Sequence, residues 1–137
     1  MIARIWWGRT KAEDYDAYLA YLEESGVAAL RETAGNRGVM VLRRLEGDEA
    51  EFGVMSFWDS LEDVKAFAGE DVDVARYFPD DGRYLLEFTP RLKHFEVARE
   101  RCDRVRTSLM DPALSVQSRR PHLGGRCRDR RPTSTRP

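Results

Sequence analysis

The sequence predicts an α+β fold of the ferredoxin-like type, a βαββαβ chain with a four-stranded antiparallel sheet and both helices on one face. Three observations predict it. Runs rich in branched and aromatic residues alternate with helical apolar stripes in that order. Two signatures of the form Ser/Thr-x-x-Asp/Glu stand just before the stripes. Everything able to build a core also lies before about residue 100, as charge makes plain. Residues 1 to 100 hold 13 Lys and Arg against 21 Asp and Glu, net −8, whereas residues 101 to 137 hold 10 against 3, net +7.

The elements follow in order. "IARIWWG", Ile2 to Gly8, reads as the first strand, because its Ile and Trp residues suit a pleated surface. Neighbouring side chains on a strand point to opposite faces, so Trp6 and Trp7 must divide between the two sides of the sheet. "RTKAED" offers Thr10 and Glu13 as a capping box that opens the first helix. Tyr15, Tyr18, Leu19, Leu22 and Leu30 give that helix one apolar stripe, interrupted at Gly26 and ended near Gly35. The runs Val39 to Leu45 and Glu51 to Trp58 flank "EGDE" and predict a hairpin with Gly47 in its turn. In "WDSLEDVKAFAG", Ser60 and Asp63 cap a second helix whose stripe is Leu61, Val64, Phe67 and Ala68, stopping at Gly69. The segment before and after Pro79 to Gly82 reads as a turn flanked by irregular chain, and "RLKHFEVA", Arg91 to Ala98, as the last strand.

The face away from the helices is predicted to be apolar too. Val39 and Val41 alternate with Met40 and Leu42, and Phe52 and Val54 with Gly53, Met55 and Phe57, where a half-exposed sheet would alternate apolar with polar. Such a face measures on the order of 400 Å² in projection, as large as the apolar patches usual on monomers. A second copy packing sheet to sheet, a homodimer, is the expected cover.

The folded domain is expected over residues 1–99. Residues 100–137 form an Arg- and Pro-rich tail, expected to be disordered, since its last 37 residues contain no Trp, Tyr, Phe, Ile, Lys or Glu. Both cysteines, Cys102 and Cys127, fall in the tail, which leaves the domain without a disulfide or cysteine metal site. That usage, with no apolar run of membrane length and no leader-like N-terminus, suits a cytoplasmic protein. Clustered Arg invites a nucleic-acid reading of the tail, but it has no aromatic residue for stacking. A GC-rich gene read past or out of its original frame is the favoured account, with nucleic acid a disfavoured partner and no membrane among the partners.

"IARIWWGRT", "GNRGVMVLRRLEGDEAEFGVMSFWDSLEDVKAFAGEDVDVARYFPDD" and "KHFEV" together resemble the antibiotic biosynthesis monooxygenase family over roughly residues 1 to 99. The resemblance implies a dimeric α/β barrel and a pocket between sheet and helices in each subunit. It further implies oxidation of phenolic compounds by O₂ with no flavin, haem or metal. A sister group degrades haem with an Asn on the first strand, a Trp in the second helical region and a proximal His. Aligned on Trp58, those slots fall at Trp6 or Trp7, at Phe67 and at Tyr77, so haem degradation is not expected.

Several residues are candidates for the chemistry. His94, the sole histidine before the tail, can act as a base on a phenol, or it can be a strand residue hydrogen-bonded at a dimer seam or exposed. Trp58, Trp6 and Trp7 suit stacking against an aromatic substrate, with core and interface filling as the alternative for at least two of them. Phe67, Tyr77 and Arg43 complete the candidate substrate-binding set, while Phe78 and Tyr84 are lid candidates. Arg4, Arg9, Arg43, Arg44 and Asn36 are possible donors to a phenolate, subject to strand register. The acidic clusters "GDEAE" and "EDVD" lack His or Cys partners and calcium-loop spacing, so no metal site is expected. Three functional classes are left open: a cofactor-independent monooxygenase of a small aromatic compound, a non-catalytic dimeric small-molecule-binding protein and, ranked last, a nucleic-acid-associated protein acting through the tail.

Overall fold

The computed structural model describes residues 1–101, and the expectations placed on the rest of the tail, including Cys102 and Cys127, lie outside the described residues. The chain runs β1 (Ile2–Lys11), α1 (Tyr15–Leu22), α2 (Ala28–Glu32), β2 (Asn36–Glu46), β3 (Glu49–Trp58), α3 (Leu61–Ala68), α4 (Asp81–Tyr84) and β4 (Lys93–Glu96). The sheet order is β2-β3-β1-β4 with every pairing antiparallel, which is the ferredoxin-like α+β arrangement.

Three local expectations need correction. Thr10 does not cap a helix. β1 continues through Lys11, Thr10 pairs with Ala50, and its hydroxyl donates to the Lys11 carbonyl. A short 3-10 turn, Ala12–Asp14, then leads into α1. A β-branched residue fits a strand as well as a cap, and a partner strand ten residues long decided between them. The long first helix is also split by a π turn over Glu23–Val27, where Gly26 interrupts the stripe. The last strand is shorter than "RLKHFEVA", because Arg91 and Leu92 pair with Val74 and Asp73 instead of β1, and β1 begins at Ile2, opposite Glu96.

The other signals fold as their chemistry dictates. The hairpin between β2 and β3 turns at Gly47, whose φ of 64° is the left-handed conformation that a side chain disfavours. At α3, the Asp63 amide donates to Ser60 Oγ at 3.3 Å and the Ser60 hydroxyl donates to Asp63 Oδ2 at 3.0 Å, fixing the helix start.

Side-chain parity divides the sheet. On the helix side, Phe52, Val54, Trp58 and Ala50 of β3 pack with Tyr18, Leu22, Leu30, Val64 and Phe67 from the helices. Trp6 joins them from β1, and Trp7 points the other way, 48% exposed, with its indole laid over Gly53. A β-carbon at Gly53 would sit 2.5 Å from that ring, so glycine is what lets Trp7 lie flat on the sheet. The outer face carries Ile5, Trp7, Met40, Leu42, Met55 and Phe95 around the small buried pair Ala3 and Phe57. Charge appears at its hairpin end, where Arg9 bridges Glu46, Glu49 and Glu51 at 3.0 to 3.2 Å.

Candidate functional site

Between the sheet and the helices lies a cavity of about 60 Å³. Its floor is Arg4 and Trp6 of β1 with Val54 and Ser56 of β3. Tyr18 and Leu22 of α1, Gly26 of the π turn, Phe67 of α3, and Phe78 with Asp81 of α4 wall it.

Arg4 dominates the electrostatics. It is buried on the helix side of β1, opposite Ser56 on one neighbour and His94 on the other. Its Nη1 donates to the Val72 carbonyl and to His94 Nε2, the latter at 3.0 Å, and its Nη2 donates to the Val74 carbonyl at 3.2 Å. Arginine has five N–H donors, so Nε and one Nη2 hydrogen have no partner among the described residues. Burial pulls the guanidinium down to about 10, with Asp73 pulling partly back, so Arg4 stays cationic at neutral pH.

His94 is not in the cavity wall but directly behind Arg4. An arginine cannot accept a hydrogen bond, so Nε2 of His94 is the acceptor and Nδ1 carries the proton, which it donates to Asp73 Oδ1 at 3.0 Å. Both ring nitrogens are thereby engaged. Burial, and the neighbouring Arg4 charge, push the imidazole below its ordinary value against the pull of Asp73, which favours the neutral ring.

Opposite this group, the Tyr18 hydroxyl donates to Asp81 Oδ1 at 3.1 Å, and the Phe78 amide donates to Asp81 Oδ2 at 2.6 Å. Burial and the adjacent Asp81 carboxylate push the Tyr18 phenol far up, so it remains a donor.

The sequence-derived candidates separate as follows. Trp6 and Phe67 line the cavity. Tyr77 stands behind Trp6, accepting from its indole N–H at 3.4 Å and donating to the Thr89 carbonyl. Trp58 is fully buried in the core, its indole N–H on Ser56 Oγ at 2.9 Å, and meets the cavity only through Ser56. Trp7 is on the opposite face. Arg43 turns toward α1, where it stacks on the Tyr15 ring at 3.8 Å and donates to Asp16 at 2.9 Å. Of the other phenolate-donor candidates, only Arg4 reaches the cavity. Tyr18, Asp81 and Ser56 escaped the sequence reading. Tyr18 was visible only as a member of a helical stripe, and nothing local joins it to a residue 63 positions away. Among the described residues, no three His, Cys, Asp or Glu side chains converge to hold a metal ion, and no helix is long and apolar enough to cross a membrane.

No protein-family model matches the chain, and no curated protein matches it. Solved structures do. The haem degrader MhuD from Mycobacterium tuberculosis, with two haems bound in its active site, aligns with a TM-score of 0.48 at 21% identity, over 74% of this chain and 100% of that one. An MhuD mutant with two manganese protoporphyrin IX bound per active site gives a TM-score of 0.48 and 21% identity, over 74% and 99% of the two chains. Rv0793 from Mycobacterium tuberculosis gives 0.44 and 14%, over 74% and 100%.

Proposed function

We propose that the helix-side cavity binds a small phenol as its anion and that the bound phenolate is oxidised by O₂ without a cofactor. The observation that carries this reading is Arg4, a buried cation that lines the cavity beside Trp6, Tyr18, Phe67 and Phe78, with two N–H groups that have no partner among the described residues and no carboxylate within hydrogen-bond distance. A buried charge is costly until an opposite charge completes it. An incoming phenolate supplies that charge and is in turn stabilised against reprotonation. No free base is then required, which fits a His94 whose nitrogens are both engaged; its role is to hold Arg4. The reaction is a monooxygenation: a phenol and O₂ give a quinone and water, one oxygen atom entering the ring and the substrate supplying all the electrons.

A cavity of about 60 Å³ is smaller than the roughly 150 Å³ that encloses a benzene ring. Entry of a ring therefore involves displacement of Phe78, which packs against Gly26 in the π turn. Haem does not fit these residues. The macrocycle is far larger than the cavity, and His94, the one imidazole among the described residues, has no lone pair to spare. The chain's resemblance to the antibiotic biosynthesis monooxygenases agrees with the cofactor-free reading.

Oxygen-electrode measurements with a panel of phenols, anthrones and hydroquinones test the function. The expected result with a phenol or anthrone is uptake of one O₂ per quinone formed without release of hydrogen peroxide, whereas a hydroquinone, which needs no inserted oxygen, serves as the control. Binding without uptake would instead establish the second reading, a non-catalytic small-molecule-binding protein, which the engaged nitrogens of His94 also favour.

The same proposal includes a homodimer packed through the outer face. Its support is the apolar surface of Ile5, Trp7, Met40, Leu42, Met55 and Phe95, with charge at the hairpin end around Arg9 and at Lys93 on the β4 edge. Sedimentation at micromolar concentration should give a dimer. Leu42→Lys, at a 44% exposed site, should give a folded monomer, and a monomeric parent protein would refute the assembly.

A further inference from the structure

We infer that His94 is a proton-controlled latch on Arg4: the neutral ring holds the guanidinium at the cavity and against the 72–74 segment, and protonation of Nε2 releases it.

The geometry is a closed circuit. Arg4 and His94 are cross-strand partners on β1 and β4. Arg4 grips the carbonyls of Val72 and Val74, the two neighbours of Asp73, while Asp73 itself accepts from His94. The Arg4–His94 bond at the centre of the circuit depends on one tautomer, with the proton on Nδ1 and the lone pair on Nε2. A proton added at Nε2 removes the acceptor and sets an imidazolium N–H against a guanidinium N–H at a spacing of 3.0 Å, two donors and two like charges. His94 cannot escape by flipping, since the carboxylate of Asp73 keeps its other side.

The charged neighbours support this circuit. Among the described residues, Arg4 from β1 and Asp73 from the connection are the charges that act on His94. The nearby Asp71 is paired with Arg91 at 3.1 Å, and Arg76 lies over the Phe67 and Phe78 rings at 5.0 Å. The native ring is held below its ordinary value, so between the two values the unfolded chain binds more protons than the folded one. Stability from this group is therefore complete above about pH 6.5 and declines as pH falls through that window. The consequence for a ligand, loss of the anion's partner in acid, rests on the phenolate reading of Arg4; the latch itself does not.

Its test needs no ligand. The His94 ring is titrated by nitrogen NMR, and amide hydrogen exchange is followed in parallel at Ala75 and Leu92, corrected for the intrinsic effect of pH. These amides donate to Pro90 and Asp73 and pin the gripped segment to the sheet edge. Exchange at both should rise at least tenfold as pH is lowered across the His94 midpoint. In His94→Gln, whose amide oxygen accepts from Arg4 at any pH, the rise should be absent. Asp73→Asn, at an exposed position, keeps an acceptor for Nδ1 but removes the charge that favours imidazolium, so the midpoint should move to lower pH. Unchanged exchange across the His94 midpoint would overturn the latch, as would the same step in His94→Gln or an unmoved midpoint in Asp73→Asn. A ring that stays neutral until global unfolding would overturn it as well.

Discussion

Replacing Trp58 by alanine is expected to cost about 3–5 kcal/mol, the range for deleting a large buried aromatic. Trp58 is fully buried at the end of β3, packs beside Phe67 with ring centroids 6.3 Å apart, and pairs with both Ile2 and Asn36 in the sheet. Total stability of a domain this size is about 5–15 kcal/mol, so the substitution removes a large share of it. Urea titration should show a lowered midpoint at unchanged slope. Trp58→Phe separates packing from polarity. It keeps a ring in the core but leaves Ser56 Oγ without its indole donor, for about 1–2 kcal/mol. Equal costs for the two variants would mean that the hydrogen bond, not the packing, is what the tryptophan supplies.

The second large effect is expected at Arg4. In the wild type, 4-nitrophenol bound in the cavity should titrate below its free value, read from the nitrophenolate absorption band, because the guanidinium stabilises the anion. Arg4→Met should abolish that displacement and weaken binding of the ionised form about 10–100-fold, since a charge-assisted hydrogen bond is worth about 1.5–3 kcal/mol. Arg4→Lys should restore part of the displacement, because it returns the charge without the planar fork. Met also strands the Val72 and Val74 carbonyls, so its stability is measured separately by denaturation. A probe that binds wild type and Arg4→Met with the same titration midpoint would remove Arg4 from the anion's recognition.

The fold was legible because its signals are local. Alternating apolar residues, the Gly47 turn and the Ser60 cap each act within a few residues, and strand parity alone showed that Trp6 and Trp7 must part. Thr10 was misread for the same reason: a local cap signature competed with ten residues of β3, and pairing across the sheet won. The site was less legible because it is assembled across the chain. Arg4 meets His94 at a separation of 90 residues through the β1–β4 register, and Asp73 arrives from an irregular connection with no periodicity. Trp58 suits stacking against a substrate by residue type alone, but the helix-facing parity of β3 sends it into the core beside Phe67.

The placement of Trp7 gives the protein a built-in optical reporter. Trp58 is sealed in the core and Trp6 is packed against it, so among the three indoles Trp7 alone is exposed on the subunit's surface, with about half of it open to water. Its emission should lie to the red of theirs and should shift to the blue whenever something dry settles on Gly53 and its neighbours. Diluting the protein while watching that band therefore follows coverage of this side of the sheet without any label attached.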